Sequence, residues 1–137
     1  MPPGTALEQA AAALARRDRS SAALTAYLVE RGVDEAEAAT AVERLRLAGY
    51  VDDARLAAIR AETLAARGHG DDAIRVDLGR GGVESELIND ALAGLAPEAQ
   101  RADALADRDG RTPKTARRLL AKGFAPETVA EVMRAGI

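Results

Sequence analysis

Apolar residues recur along the chain at intervals of three and four, and they almost never alternate with polar residues. Such intervals place side chains on one face of a helix, whereas alternation is the pattern of a half-buried strand. The sequence therefore predicts an all-α fold. The first four helices are expected over about residues 6–17, 20–32, 34–49 and 52–68. Short polar side chains, which commonly cap helix N-termini, stand at their starts: Thr5, Ser20, Asp34 and Asp52.

One pattern occurs three times, at residues 24–45, 74–95 and 115–136. Each copy has a Gly followed by an apolar residue between two helices, at Gly32-Val33, Gly82-Val83 and Gly123-Phe124. A Leu stands four residues before each Gly, at Leu28, Leu78 and Leu119. Further helices are expected to begin at Asp52 and Pro97, after the first two copies. Because small helical units bury their apolar faces only against neighbours, the pattern predicts tandem three-helix repeats in a curved, elongated array.

The repeats suggest a division of one continuous domain into four ranges. These are an N-terminal helix at residues 1–18 and helical repeats at 19–68, 69–110 and 111–137. A chain of 137 residues suits a single domain of this size.

The amino-acid composition excludes several kinds of chemical site. The chain has no Cys and one His, which excludes disulfides, thiolate metal sites and imidazole clusters, so no metal or cofactor is expected. No apolar run approaches the ~20 residues of a membrane span, and the N-terminus lacks the pattern of a signal peptide. The sequence predicts a cytoplasmic protein that does not contact a membrane.

No convincing catalytic constellation is present. His69 stands near Asp71 and Asp72, which could form a hydrolytic dyad, but a His between two Gly residues is more often a solvated connector. The acidic pairs Asp52-Asp53 and Asp71-Asp72 are better explained as helix caps. The second helices of the copies begin with carboxylates where a DNA groove reader needs Arg, Asn or Gln. We therefore expect neither an enzyme nor a base-reading helix-turn-helix protein.

Charge is distributed unevenly. The net charge is −3, yet residues 101–137 carry 8 Lys and Arg against 5 Asp and Glu. A basic face is predicted around a helix that begins at Pro113, with Leu119 and Leu120 pointing inward. Its members are Arg108, Arg111, Lys114, Arg117, Arg118 and Lys122. Two interpretations stay open, a solvated helix surface and a contact with phosphate or an acidic protein surface.

The stretch GYVDDARL, residues 49–56, completes a pattern that resembles the RecX family, the regulators of the bacterial recombinase RecA. The family motif Leu-x-x-x-Gly-Tyr-x-Asp-Asp-x-Arg-Phe is matched by Leu45, Gly49, Tyr50, Asp52, Asp53 and Arg55, with Leu56 in place of Phe. The opening stretch RDRSSAALTAYLVERGV and the closing TARRLLAKGF also fit. The next family positions are matched by Gly68, Gly70, Ile74, Arg75, Leu78, Arg80, Gly82 and Val83.

The resemblance implies the same all-α repeat fold and binding along the groove of the RecA–DNA filament. A monomer of this kind would limit filament growth, ATP hydrolysis and strand exchange, and so act in homologous recombination, DNA repair and the SOS response. Tyr50, Arg55 and Arg75 become candidate partner contacts. The competing structural interpretation lays the Tyr50 ring over a joint between helices and pairs Arg55 with a carboxylate.

Because the net charge is −3, DNA is expected to be contacted indirectly or weakly, and recognition to be mainly between proteins. Two alternatives stay open. One is a stand-alone nucleic-acid-binding module that acts through the C-terminal basic helix, and the other is a helical scaffold for another partner.

Overall fold

The computed structural model describes residues 4–135, and within that range the chain forms nine helices and no strand. The helices are α1 (Ala6–Arg16), α2 (Ser21–Glu30), α3 (Glu35–Leu47), α4 (Asp53–Ala66), α5 (Asp71–Arg80), α6 (Ser85–Ala93), α7 (Glu98–Asp109), α8 (Pro113–Ala121) and α9 (Pro126–Arg134). The predicted all-α fold is confirmed. None of the helices in this range combines the length and apolar character needed to cross a membrane.

The residues predicted as N-caps stand at the starts of α1 to α4. Thr5 accepts a hydrogen bond from the backbone N–H of Glu8, and Ser20 and Asp52 cap α2 and α4 in the same way. Asp34 caps α3 by accepting a hydrogen bond from the N–H of Ala36, two residues on. Each side chain satisfies a backbone donor that the first helical turn leaves unpaired.

The three aligned turns share one backbone geometry. Gly32, Gly82 and Gly123 have φ angles of 91°, 87° and 92°, a region that favours Gly. The apolar residue after each Gly donates its N–H to the carbonyl of the Leu four residues before that Gly, over 3.0, 3.1 and 3.1 Å. This is the bond of a Schellman motif, in which those two side chains also meet. The repeat in the sequence is therefore a repeat of helix C-terminal caps.

The helices pack in three groups, each around its own buried apolar cluster. We call α1–α3 unit 1, α4–α6 unit 2 and α7–α9 unit 3. The tandem three-helix repeat is confirmed, while the curved, elongated outline stays a prediction. Helix α4 packs in unit 2, with the turn that follows it in the chain. Its residues Ala57, Ala61 and Leu64 belong to the same buried cluster as Ile74 and Leu78. The predicted ranges 19–68 and 69–110 instead place α4 in the first repeat, with the Gly32 turn that precedes it.

Joint 1, between units 1 and 2, is built at the N-terminus of α2. The hydroxyl of Ser20 donates to the carbonyl oxygen of Gly81, in the turn of unit 2, over 2.5 Å. The N–H of Ser21 donates to Asp53 Oδ1, at the start of α4, over 2.8 Å. Unit 1 is thus fixed to both the turn and the first helix of unit 2.

Joint 2, between units 2 and 3, repeats this arrangement at the N-terminus of α5. The N–H of Gly70 donates to the carbonyl oxygen of Lys122, in the turn of unit 3, over 2.8 Å. The N–H of Asp71 donates to Glu98 Oε2, at the start of α7, over 2.7 Å. Asp53 and Glu98 therefore hold equivalent positions, and the units follow one another by a repeated contact.

Candidate partner-binding surfaces

Ion pairs neutralise half of the predicted basic face. Arg108 binds Asp109 with an Nε–Oδ1 distance of 2.9 Å, and Arg118 approaches the same carboxylate at 3.4 Å. The hydrogen bond from Arg108 lowers the pKa of Asp109, so this acid stays ionised. Both arginines are more than half exposed, but their charge is already partnered.

Arg111 is a structural residue. Its guanidinium bonds to Asp107 over 2.6 Å, to Asp103, and to the carbonyl oxygen of Val132 in α9 over 3.2 Å. The side chain is only 21% exposed, and the hydrogen bond that it donates to Asp107 is the main reason that its pKa is raised. Arg111 therefore ties α7 to α9 instead of presenting a free charge.

The other three cations of the basic face have no carboxylate within 4.0 Å among residues 4–135. Lys114 and Arg117 are exposed, and Lys122 is partly buried beside joint 2. Leu119 is buried as predicted, whereas Leu120 is 46% exposed, because α8 packs on α9 and α7 with only one of the two faces. Lys114 and Arg117 are therefore the main exposed and unpaired cations of this face.

An exposed apolar surface surrounds Tyr50. The ring is 71% exposed, so it does not cover the joint between helices, and Leu47 is 72% exposed nearby in the chain. Tyr50 and Ile59 line one shallow groove together with Arg55, which has no carboxylate within 4.0 Å among the described residues. The expected pairing of Arg55 is therefore not formed, and both side chains are available to a partner.

Arg75 lies apart from this surface, on α5, where its guanidinium donates to Asn89 Oδ1 of α6 over 2.6 Å. The contact is exposed and joins two helices of unit 2. Arg75 remains accessible, but part of its hydrogen-bonding capacity is used within the fold.

His69 does not form a dyad with the neighbouring aspartates. Asp71 is bound by Arg101, whose guanidinium also donates to the carbonyl oxygen of His69 over 3.0 Å. Burial and the nearby Lys122 lower the pKa of His69 below its ordinary value of 6.5. Within residues 4–135, no three acidic or His side chains are placed to share a metal ion. His69 belongs to joint 2.

Sequence reasoning missed a group of arginines around Tyr27, which we call the arginine cluster: Arg16, Arg19 and Arg31. Their guanidinium carbons lie 5.8, 4.4 and 4.3 Å from the centroid of the Tyr27 ring. Arg16 also donates to the Tyr27 hydroxyl over 2.5 Å. The spacing of Tyr27 and Arg31, four residues apart on α2, was a visible signal for part of this cluster.

Units 1 and 2 correspond to two family models. Residues 6–45 match the model described as RecX, first three-helix domain, and residues 52–92 match RecX, second three-helix domain. The two segments coincide with α1–α3 and α4–α6 and together span more than half of the chain. The chain belongs to the RecX family. The predicted family and repeat fold are thus confirmed.

Relatives and solved structures agree. The chain is 36% identical over 135 residues to the regulatory protein RecX of Acidithiobacillus ferrooxidans, covering 90% of this chain and 85% of that protein. It is 39% identical over 89 residues to the regulatory protein RecX of Xanthomonas oryzae pv. oryzae, covering 65% and 56%. The crystal structure of RecX from Lactobacillus salivarius superposes with a TM-score of 0.80 at 17% identity, covering 95% of this chain and 93% of that one.

The RecX matches also locate the candidate surfaces. The arginine cluster lies in the segment that matches the first RecX domain, and Arg55 and Arg75 lie in the segment that matches the second. Tyr50 falls in the link between the two segments. The basic face of unit 3 lies outside both segments.

Proposed function

We propose that this RecX-family chain binds the RecA–DNA filament in the cytoplasm and limits filament extension, ATP hydrolysis and strand exchange. The observation that carries the proposal is that units 1 and 2 match the two three-helix domains of RecX in order. The role requires a surface that recognises a polymer, and it requires no chemical reaction. We therefore treat the chain as a non-enzymatic, monomeric regulator.

The Tyr50 surface is the best candidate for the protein contact. Exposed apolar groups beside an unpaired Arg are typical of the centre of protein interfaces, where Tyr and Arg often supply most of the binding energy. Tyr50, Leu47 and Ile59 are each at least half exposed, so their present packing does not account for them. A partner surface that covered them would remove this apolar area from water.

ATP turnover by RecA on single-stranded DNA tests the proposal. Adding the chain should lower turnover in a saturable way. Tyr50→Ala should raise the concentration needed for half-inhibition about tenfold, the loss of about 1.4 kcal/mol that a moderate hot spot gives. Val76→Ala is the matched control, because Val76 is also exposed and apolar but lies on α5. Unchanged turnover at excess chain would refute the proposed function.

The second candidate is a stand-alone nucleic-acid-binding module that acts through unit 3. Lys114 and Arg117 favour it, because both are exposed and have no carboxylate within 4.0 Å among residues 4–135. The pairing of Arg108, Arg111 and Arg118 weakens it. A variant with Lys114→Glu and Arg117→Glu should abolish DNA binding if this candidate is correct. The same variant should change RecA inhibition little if the first candidate is correct.

A further inference from the structure

The arginine cluster brings three positive charges together without forming an ion pair in the described part of the chain. Its guanidinium carbons all lie within 5.8 Å of one point, the centroid of the Tyr27 ring. None of the three arginines, nor the adjacent Arg17, has a carboxylate within 4.0 Å among residues 4–135. Arg60, Arg101 and Arg111 in the other units are all paired. Like charges this close repel one another, so the cluster favours an anion.

The fold holds the cluster in place before any ligand binds. Tyr27 packs against the apolar cluster of unit 1, and its ring and hydroxyl position the guanidinium groups by cation–π contact and a hydrogen bond. Arg16 and Arg31 also lie at the C-terminal ends of α1 and α2, where the helix dipole favours a cation. Preorganisation of this kind lowers the entropy cost of binding.

Arg19 shows that the hydrogen-bonding capacity of the cluster is not used up within the protein. Its Nε is buried and has no hydrogen-bond partner among the described residues. One guanidinium would be enough to cover the Tyr27 ring. A guanidinium that lies on an aromatic ring can still bind phosphate oxygens in pairs through its terminal N–H groups.

The surroundings of Arg19 indicate which anion fits. Arg19 and Arg17 line a groove of about 370 Å³ at joint 1, whose walls also carry Asp18 and Asp77. Arg19 also lines the shallow groove that contains Tyr50 and Arg55, together with Asp18 and Asp52. A single nucleic-acid strand offers phosphates to the arginines and base faces to an exposed ring. An acidic polypeptide would contact only the charged arginines and not the exposed ring.

We propose that Arg16, Arg19 and Arg31, held on Tyr27, bind the phosphodiester backbone of a single nucleic-acid strand whose bases reach the exposed ring of Tyr50. The site lies in unit 1, away from the basic face of unit 3. It goes beyond the proposed function, with which it shares only Tyr50, and it is tested in the absence of RecA. With a net charge of −3, the affinity is expected to be modest and to fall steeply with salt.

Fluorescence anisotropy of labelled oligo(dT) with the full chain, at two low salt concentrations and without RecA, tests the site. A variant with Arg16→Gln and Arg31→Gln should bind at least tenfold more weakly. Its salt slope should fall by about 1.4, because each phosphate contact on a single strand contributes about 0.7. The control with Arg67→Gln and Arg80→Gln removes the same charge from exposed arginines of unit 2 and should change affinity less than twofold.

Tyr27→Leu separates preorganisation from simple attraction, because it leaves the net charge unchanged. Binding should fall several-fold in Tyr27→Leu, and less in Tyr27→Phe, which keeps the ring and loses only the hydroxyl. Far-UV circular dichroism checks that the variants are folded. If Tyr27→Leu is not folded, the surface double variant in Arg16 and Arg31 still decides the question.

Three results would overturn the inference. The first is an equal loss in the cluster variant and in the control, which would mean unspecific attraction. The second is a loss only on changing Lys114 and Arg117, which would place the site in unit 3. The third is displacement of oligo(dT) by a lower concentration of polyglutamate of equal length, which would identify an acidic polypeptide as the ligand. None of these results depends on whether the chain inhibits RecA.

Discussion

Two turn glycines with the same backbone conformation provide a controlled test of the repeated joint. Gly32 and Gly123 have φ angles of +91° and +92°, so an added Cβ is strained to the same degree at both. At Gly32, in unit 1, a Cβ would meet nothing within 4 Å. At Gly123, in joint 2, it would lie 2.5 Å from the Cβ and 2.6 Å from the backbone N of Ala73.

The free energies of the two substitutions can be worked out separately. Gly32→Ala costs about 1–2 kcal/mol of backbone strain. Ala also lowers the conformational entropy of the unfolded chain relative to Gly, which offsets about 0.4–1 kcal/mol of that backbone strain. Gly123→Ala has both contributions and adds about 1–3 kcal/mol of overpacking. The collision cannot be relieved by a side-chain rotation, because it involves the Cβ and the backbone of α5.

Urea unfolding followed by far-UV circular dichroism is the suitable assay, since the chain contains no Trp. The free energy of unfolding of Gly123→Ala should lie about 1–3 kcal/mol below that of Gly32→Ala, with similar dependence on urea. Equal destabilisation of the two variants would refute the close approach of units 2 and 3 at this turn. A larger effect at Gly32 would refute the equivalence of the turns.

Three further predictions concern the joints. Ser20→Ala should lower the free energy of unfolding by about 2 kcal/mol, because the hydroxyl caps α2 and also bonds to Gly81; chemical denaturation measures this. Arg101→Lys should destabilise by about 2 kcal/mol in a thermal melt, because Lys cannot keep the several bonds of a guanidinium that is 12% exposed. His69 should titrate below 6.5 by NMR. The folded chain binds this proton less tightly than the unfolded chain, so the free energy of unfolding decreases as the pH falls below about 6.5. His69→Gln should make that decrease smaller.

Local signals made the turns and caps predictable. A Gly followed by an apolar residue, four residues after a Leu, is sufficient to specify a Schellman motif, and Ser20 and Asp52 are strong N-caps in almost any context. The grouping of helices into units was not predictable in the same way. It depends on which faces of Ala-rich helices such as α4 meet, and Ala57 and Ala61 leave little pattern in the sequence.

The candidate surfaces were predictable only in part. The basic face followed from composition, but Asp103, Asp107 and Asp109 neutralise half of it. Two of these acids, Asp103 and Asp107, converge on Arg111 in the turn between α7 and α8. Arg16 meets Tyr27 because α1 and α2 pack side by side, and Arg19, in the link between these helices, lies over the same ring. Contacts that cross from one helix to another are set by tertiary packing, so a charge count along the chain could not separate free arginines from paired ones.

Co-sedimentation with preassembled RecA filaments on single-stranded DNA tests the central claim most directly. At physiological salt, the chain should sediment with the filament in a saturable way and should remain in the supernatant with DNA alone, since its net charge is −3. Equal sedimentation with bare DNA, or none with the filament, would contradict the conclusion that this chain recognises the assembled polymer.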